Sequence, residues 1–183
     1  MAKSPAKPRP KDPKEPVPPP AADALPFATR NDLTPAVRAA VVVELAPRLA
    51  EALDLALQAK QAHWNVRGAN FGALHELFDR LAAEAHAHAD ELAERIVQLG
   101  GAAEGTLAAV AARTKLPAYS LTLFREEDHV NALADAHARF GRGVRAGIDT
   151  LTRLGDADSA DLLTGISRAC DKALWMLEAH AQR

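Results

Sequence analysis

The sequence has few aromatic residues, a single cysteine and no long apolar run, and each shortage excludes a class of protein. Aromatic residues make up 4% of the 183 residues while hydrophobic residues reach 48%, so alanine and leucine supply most of the apolar surface. Because these two residues lose little on entering a helix, the composition predicts an all-α fold. Cys170 alone excludes an internal disulfide framework and a cysteine zinc site, and we expect it to be a small buried side chain on a helix.

Charge and hydropathy exclude further classes. The formal net charge of −2 gives no overall basic field, so any attraction to nucleic acid has to be local. No apolar run approaches the ~20 residues that span a bilayer, and the N-terminus lacks the apolar stretch of a secretory signal. The sequence therefore predicts a soluble, cytoplasmic protein without a membrane partner.

The chain divides into an N-terminal arm and one larger domain. Residues 1–26 hold nine of the 12 prolines, together with five basic and three acidic side chains. Because proline blocks helix formation and this segment has little apolar surface, we predict a disordered arm over residues 1–32 and a folded domain over residues 33–183. The basic side chains of the arm are Lys3, Lys7, Arg9, Lys11 and Lys14.

Apolar residues recur at helical spacing in four long segments. The predicted helices span residues 34–66, 71–99, 125–154 and 159–180, with a short helix at 107–112 in the connection of residues 102–123. Pro47 either kinks the first helix or marks its true start, and Asn70 is the expected cap of the second. Four long helices with this long crossover between helices 2 and 3 predict a ferritin-like four-helix bundle.

The second predicted helix carries two pairs of metal-ligand side chains. His75 and Asp79 lie four residues apart, as do Asp90 and Glu94, and the eleven residues from Asp79 to Asp90 put both pairs on one side. Those eleven residues cover about 16 Å, which is too far for one metal ion whose ligands lie within ~2.2 Å. A second copy of the helix, antiparallel about a two-fold axis near residues 84–85, would bring the two pairs together from different chains.

Other residues bear on this hypothesis. His63, near the end of the first helix, could add a third ligand beside His75, and a mixed nitrogen and oxygen set suits iron or manganese. His86 and His88 are interpreted as interface or surface residues. Small side chains would let the partner approach closely, and they are Ala82, Ala83, Ala85, Ala87 and Ala89. The alternative is that both pairs are ordinary solvated helix pairs.

Glu126 and His129 form one Glu-x-x-His match, a spacing that di-iron bundles use twice. Since only one copy is present and it lies at a helix start, we interpret it as a capping and surface pair. A conventional di-iron oxygenase inside one bundle is thereby disfavoured.

The run KQAHWNVRGANF at residues 60–71, followed by His75-Glu76 and Asp79, resembles the signature of the Dps proteins, the DNA-binding mini-ferritins of starved cells. The resemblance continues through Asp90, residues 93–95 and 98–101, and the run DKALW at 171–175, and it covers residues 34–180. It implies a ferroxidase site between subunits, with His63, His75 and Asp79 from one chain and Asp90 and Glu94 from its partner. It also places Trp64 beside that site, either to intercept oxidising equivalents or only to pack.

The resemblance further implies a hollow dodecamer that oxidises ferrous iron with hydrogen peroxide and holds the ferric mineral, so that iron is both substrate and bound cofactor. Asp158 and Asp161 resemble the acidic lining of the pore through which iron enters, although helix capping explains them nearly as well. Gly143 stands where some relatives have another pore carboxylate, and Asp156 is an alternative contributor. The arms, with net charge +2, are expected to bind DNA phosphates without sequence preference or to serve only as solubilising tails.

The leading hypothesis is a ferroxidase and iron-storage protein, associated with the nucleoid through its arms. The alternative is a mainly structural protein that compacts nucleoid DNA and has little iron chemistry. A haem protein of the bacterioferritin type has little support, because no methionine is placed where two symmetry-related copies would ligate haem.

Overall fold

The computed structural model describes residues 25–181, most of which belong to five helices. In chain order these are α1 (Pro35–Asn65), α2 (Phe71–Gln98), α3 (Leu107–Arg113), α4 (Glu126–Leu154) and α5 (Ala157–Ala181). Within residues 25–181 the only strand-type pairing is an isolated bridge between Arg67 and Arg125. The predicted all-α bundle, with a short helix in its long crossover, is confirmed, and each helix begins and ends within two residues of its predicted bounds.

Local sequence explains how α1 and α2 begin, and the structure decides two points that concern Pro47 and Asn70. Thr34 accepts a hydrogen bond from the Val37 amide at 3.3 Å and so caps α1. Pro47 lies inside a continuous α1, so a helix that begins near Pro47 is excluded. Asn70 occupies the N-cap position of α2, as predicted, but its side chain makes no capping bond. Its amide Nδ2 instead donates to Glu126 at 2.8 Å, because the start of α4 lies beside it.

The core forms two apolar clusters along the bundle. One is centred on Phe140 and the other on Phe78, and both side chains are fully buried. Three of the alanines predicted to face a partner belong to these clusters instead: Ala82, Ala85 and Ala89. They lie against α1, where the buried residues include four further alanines, Ala52, Ala56, Ala59 and Ala62. Small side chains on both helices let α1 and α2 approach closely, which leaves only Ala83 and Ala87 exposed on the predicted face.

A small, mostly apolar cavity lies between α1, α2, α4 and α5. Its walls include Glu84, His88, His137 and Cys170. Cys170 is buried as predicted, and burial raises the pKa of its thiol to about 12. Of the two interpretations of His88, an interface or a surface residue, the second is wrong. Its side chain is only 16% exposed and its Nε2 atom is buried.

The buried His137 should make the fold sensitive to acid. Burial lowers the pKa of its imidazole below the ordinary value of 6.5, and the neighbouring His88 acts in the same direction. Between the lowered pKa and 6.5 the unfolded chain binds more protons than the folded chain, so stability is lost as the pH falls through this window. We expect the free energy of unfolding, measured with urea at fixed protein concentration, to be lower at pH 5 than at pH 7.5.

The matched variant is His137→Gln, whose side chain does not titrate. It should lose less stability than the wild type over the same pH interval, whatever its stability at pH 7.5. An unchanged pH slope in this variant would show that His137 is not a source of the acid sensitivity.

The segment before α1 packs on the bundle. The Phe27 amide donates to the Gly100 carbonyl at 3.1 Å, and Leu25 lies against the first apolar cluster. The packed part therefore begins before the domain boundary predicted at residue 33, while residues 1–24 of the predicted arm lie outside the described residues. No helix in the described part is long and apolar enough to cross a bilayer.

Candidate functional site

Two of the predicted ligands lie side by side where α1 ends and α2 begins. The imidazole rings of His63 and His75 are stacked, with centroids 3.7 Å apart and planes 22° apart. His63 Nδ1 is 2.8 Å from the His75 carbonyl oxygen, and His75 Nδ1 is 2.9 Å from the His63 carbonyl oxygen. Because a carbonyl only accepts, each Nδ1 carries a proton, so Nε2 is the nitrogen that can bind a metal ion through its lone pair in the neutral ring. Metal-binding histidines are commonly fixed in this way.

Asp79, the third predicted ligand of this half, lies one turn beyond His75 on α2. Its carboxylate is exposed and forms an ion pair with the Lys60 ammonium from α1. The hydrogen bond from Lys60 lowers the pKa of Asp79, and the charges of Lys60, His63 and His75 lower it further. The aspartate is therefore ionised near neutral pH and is electrostatically coupled to both imidazoles.

Lys60 lies beside the candidate ligands, although sequence reasoning did not single it out. The available signal was its position three residues before His63 on α1, which puts both on one helical face. Its ammonium stands beside the Asp79 carboxylate, where a cation is favoured. The ammonium pairs with Oδ1 of Asp79.

Asp90 and Glu94, the other two predicted ligands, are exposed on α2 about three turns away from Asp79. Since α2 is continuous from Phe71 to Gln98, the two pairs stay at opposite ends of one face. Among residues 25–181, no three or more His, Cys, Asp or Glu side chains form a group that could hold a metal ion. Midway along the face, the exposed side chains are Ala83, His86 and Ala87 rather than a row of alanines.

Large apolar side chains border this face. Trp64 is 61% exposed and Leu57 is 50% exposed on α1, and Val97 is 46% exposed near the end of α2. Leu53, one turn from Leu57, lines an open groove with His86 and Asp90, which places the α1 residues along the α2 stripe. Large exposed apolar side chains beside polar ones are typical of a surface that another protein covers.

The acidic residues near the start of α5 separate into two kinds. Asp158 and Asp161 are exposed, as a pore lining requires. Asp156 is only 3% exposed; it accepts a hydrogen bond from Arg95 at 2.7 Å and one from the Ser159 amide at 3.2 Å. The suggestion that Asp156 contributes to the pore is therefore wrong, because it caps α5 and pairs with a buried arginine. Gly143 lies against Arg48, whose guanidinium takes the space that a Cβ would need.

The Glu-x-x-His match at the start of α4 does not form a metal site. Glu126 accepts hydrogen bonds from the Asn70 amide at 3.0 Å and from its side chain, and thus ties α4 to the start of α2. His129 is 1% exposed and faces the hydroxyl of Tyr119, so its interpretation as a surface residue is wrong. The two side chains have different partners.

Comparisons with known proteins agree with this architecture. Residues 44–183 match the ferritin-like domain family. A protein of Agrobacterium fabrum named DNA protection during starvation protein is 44% identical over 154 residues, which cover 84% of this chain and 95% of that protein. Among solved structures, DpsC from Streptomyces coelicolor has a TM-score of 0.82 at 28% identity, covering 85% of this chain and 91% of that one. Dps from Microbacterium arborescens in its high iron form has a TM-score of 0.76 at 36% identity, covering 83% and 97%.

Proposed function

Because the chain belongs to the Dps family of ferritin-like proteins, we propose that it oxidises ferrous iron with hydrogen peroxide and stores the ferric product in a shell of identical chains. The observation that carries this proposal is the pair of stacked imidazoles, His63 and His75, each held through Nδ1 with Nε2 left as a donor to a metal ion. Similarity to a Dps structure described in a high iron form supports iron as the substrate.

The complete site is proposed to form between two chains. His63, His75 and Asp79 of one chain face Asp90 and Glu94 of its partner, in the antiparallel arrangement that the α2 spacing requires. The exposed apolar side chains beside these residues are the surface that the partner covers, with Trp64 next to the iron. The shell is proposed to be a dodecamer.

In the proposed reaction the protein positions iron and stabilises charge. Histidine nitrogens and carboxylate oxygens bind ferrous ions, and the carboxylates favour the ferric product because its charge is higher. Two ferrous ions each give one electron to hydrogen peroxide, which takes up two protons and leaves as two water molecules. Asp79 contributes a carboxylate that is already ionised, because the hydrogen bond and charge of Lys60 lower its pKa.

The test of this function is the variant His75→Ala/Asp79→Ala. Since it removes two of the three ligands from one half of the site, we expect the rate of peroxide-dependent ferric iron formation to fall by ~100-fold or more. Ferric absorbance and peroxide consumption, recorded together after mixing, measure the effect. The matched control is Glu91→Ala, which removes an exposed carboxylate from α2 away from the stripe and should keep the wild-type rate. Normal oxidation by the double variant would refute the site assignment.

Asp158 and Asp161 are proposed to line the pore through which iron enters the shell. Both are exposed in the first two turns of α5, and repetition around a three-fold axis would concentrate their negative potential. Asp156 is excluded from this role, so the pore would carry fewer carboxylates per chain than the sequence suggested.

DNA binding is proposed to reside in the N-terminal arm. Its basic residues, Lys3, Lys7, Arg9, Lys11 and Lys14, would contact phosphates weakly on one chain, but many arms on one shell act together through effective concentration. This proposal adds nucleoid association to the iron chemistry.

A truncation tests the arm. Removing residues 1–24 should abolish retardation of DNA in gels at low salt, while ferric iron formation stays at the wild-type rate because the packed segment from Leu25 onward is kept. For the full chain, retardation should weaken steeply as salt is raised. If the truncated shell retards DNA as well as the full chain, the arm is not the binding element. If the full chain compacts DNA but oxidises no iron, the mainly structural alternative is correct.

A further inference from the structure

Tyr119 and His129 form an acid–base pair in the interior of the bundle. Tyr119 lies in the crossover between α3 and α4, and its hydroxyl oxygen is 2.6 Å from His129 Nδ1, a hydrogen-bond distance. The two rings are nearly parallel, with centroids 6.2 Å apart. His129 is 1% exposed, and Tyr119 is half-buried against the cluster that contains Phe78. The proposed function assigns no role to this pair.

Two contacts connect this pair to the proposed iron site. The backbone carbonyl of Asn65, the residue after Trp64, lies close enough to the His129 imidazole to raise its pKa. The ring of Phe78, the residue before Asp79, has its centroid 6.4 Å from that of His129. The pair is therefore packed against the last turn of α1 and against the part of α2 that carries the candidate ligands.

His129 is held as a neutral base. Burial lowers the pKa of its imidazole and outweighs the Asn65 carbonyl and the Asp128 charge, both of which raise it. Its Nδ1 lone pair faces the phenol, while its Nε2 atom is buried without a well-formed hydrogen bond. Burial also raises the pKa of Tyr119, so the phenol stays protonated and the hydrogen bond is preserved.

A phenol next to a neutral base can give up an electron far more readily than an isolated buried phenol. Oxidation of a lone phenol in this interior would leave a positive charge on the ring, and an uncompensated buried charge is costly. If the proton moves to His129 Nδ1 as the electron leaves, the tyrosine becomes a neutral phenoxyl radical and the charge lies on an imidazolium. The existing hydrogen bond provides the path for this proton.

We propose that Tyr119 and His129 act as a proton-coupled electron donor that quenches one-electron oxidants formed at the iron site. The inference rests on the proposed function, because its oxidant is the hydroxyl radical made when one ferrous ion gives a single electron to hydrogen peroxide. Tyr119 gives one electron, the radical becomes hydroxide, and the phenolic proton moves to His129. A second ferrous ion then reduces the phenoxyl radical and becomes ferric, while His129 returns the proton.

The chain is suited to a decisive test, because Tyr119 is its only tyrosine. Wild-type protein loaded with ferrous iron is mixed with hydrogen peroxide, frozen at set times and examined by electron paramagnetic resonance. We expect a tyrosyl radical, which can come only from Tyr119. Tyr119→Phe keeps the ring and should show no tyrosyl signal. In His129→Gln the amide oxygen can accept the hydrogen bond but takes up no proton, so the signal should be smaller by ~10-fold or more.

Ferric absorbance in the same samples separates the two hypotheses. Ferric iron without a wild-type tyrosyl signal would overturn this inference and leave the proposed function standing. If His129→Gln gives the wild-type signal, His129 is not the base and the coupled mechanism is wrong. Thermal melting of both variants shows whether the fold is intact.

An experiment without iron tests whether the Tyr119–His129 pair donates an electron. A ruthenium polypyridyl complex with persulfate generates a one-electron oxidant by light, and phenoxyl absorbance is followed in time. Wild-type protein should form the radical, and His129→Gln should form it at least ~10-fold more slowly. If no ferric iron forms with peroxide, the proposed function fails and with it the source of the oxidant. Equal photochemical rates in the two proteins would then overturn the electron-donor role as well.

Discussion

Two inactive variants should regain iron oxidation when they assemble together. The first, His75→Ala/Asp79→Ala, lacks one half of the proposed site, and the second, Asp90→Ala/Glu94→Ala, lacks the other half. In a mixed dimer, one site is built from the intact half of each chain, while the other site is defective in both halves. With equal amounts and random pairing, half of the dimers are mixed, so about a quarter of all sites should be complete.

The measurement is the rate of ferric iron formation in the presence of hydrogen peroxide. Each double variant expressed alone should be almost inactive, and the co-expressed pair should reach about a quarter of the wild-type rate. The control is co-expression of His75→Ala/Asp79→Ala with His63→Ala. Both of these chains are damaged in the same half, so no arrangement of the two yields a complete site.

The expectation follows from the length of α2. The helix is continuous, and about 16 Å of its axis separate Asp79 from Asp90, so one chain cannot supply both pairs to the same ions. No recovery in the test pair despite normal assembly would contradict a site shared by two chains. Recovery in the control pair would show that the regained activity does not come from complementary halves.

Replacing Asp156 by alanine should cause a large loss of stability. Asp156 is 3% exposed and accepts hydrogen bonds from the Arg95 guanidinium and the Ser159 amide, so its loss removes the cap of α5 and leaves a mostly buried arginine unpaired. Breaking a buried pair in this way costs about 3–5 kcal/mol. Urea unfolding at pH 7 and fixed protein concentration measures the difference.

Asp158→Ala is the matched control, because Asp158 is exposed only two residues away. Its removal should change the free energy of unfolding by less than ~0.5 kcal/mol. The Asp156→Ala/Arg95→Ala double variant should lose less than the sum of the two single losses, since the side chains interact. Equal stabilities of Asp156→Ala and Asp158→Ala would contradict the assignment of Asp156 to the interior.

The Asp156 network also has a pH signature. Burial alone would raise the pKa of Asp156, but the hydrogen bonds from Ser159 and Arg95 outweigh it and hold the pKa below its ordinary value of 3.8. A carboxyl group with a lowered pKa contributes stability above its unfolded-state value, and this contribution is lost as the pH falls through the folded-state pKa. The acid sensitivity from His137 begins at a higher pH, near the ordinary imidazole pKa of 6.5.

Local periodicity was sufficient to predict the helices. Apolar spacing, the Thr34-Pro35 start and the glycine pair at residues 100–101 are properties of short segments, and they depend little on distant parts of the chain. The same is true of the distance between the two ligand pairs, because the rise per residue of a helix is fixed. Hence the hypothesis of a site shared by two chains follows from the sequence and helix geometry alone.

Which side chains of a helix face the rest of the protein could not be predicted from local periodicity. The alanines of α2 are alike in sequence, yet Ala85 and Ala89 face α1 while Ala83 is exposed, because the position of α1 decides which side is covered. Asp156 and Asp158 have the same side chain. Asp156 alone is a buried ion-pair partner, because Arg95 of α2 packs beside it. His129 and His88 appeared to be surface residues for the same reason.

The sequence by itself determined the helical architecture and the separation of Asp79 from Asp90, because both follow from the regular geometry of a single helix. Its resemblance to a known family supplied the expected ligands. Only the tertiary structure decided that His63 and His75 fix each other through backbone carbonyls, that Lys60 pairs with Asp79, and that Tyr119 meets His129. These contacts join residues from different elements, and their formation depends on how the helices and the crossover pack rather than on any local pattern.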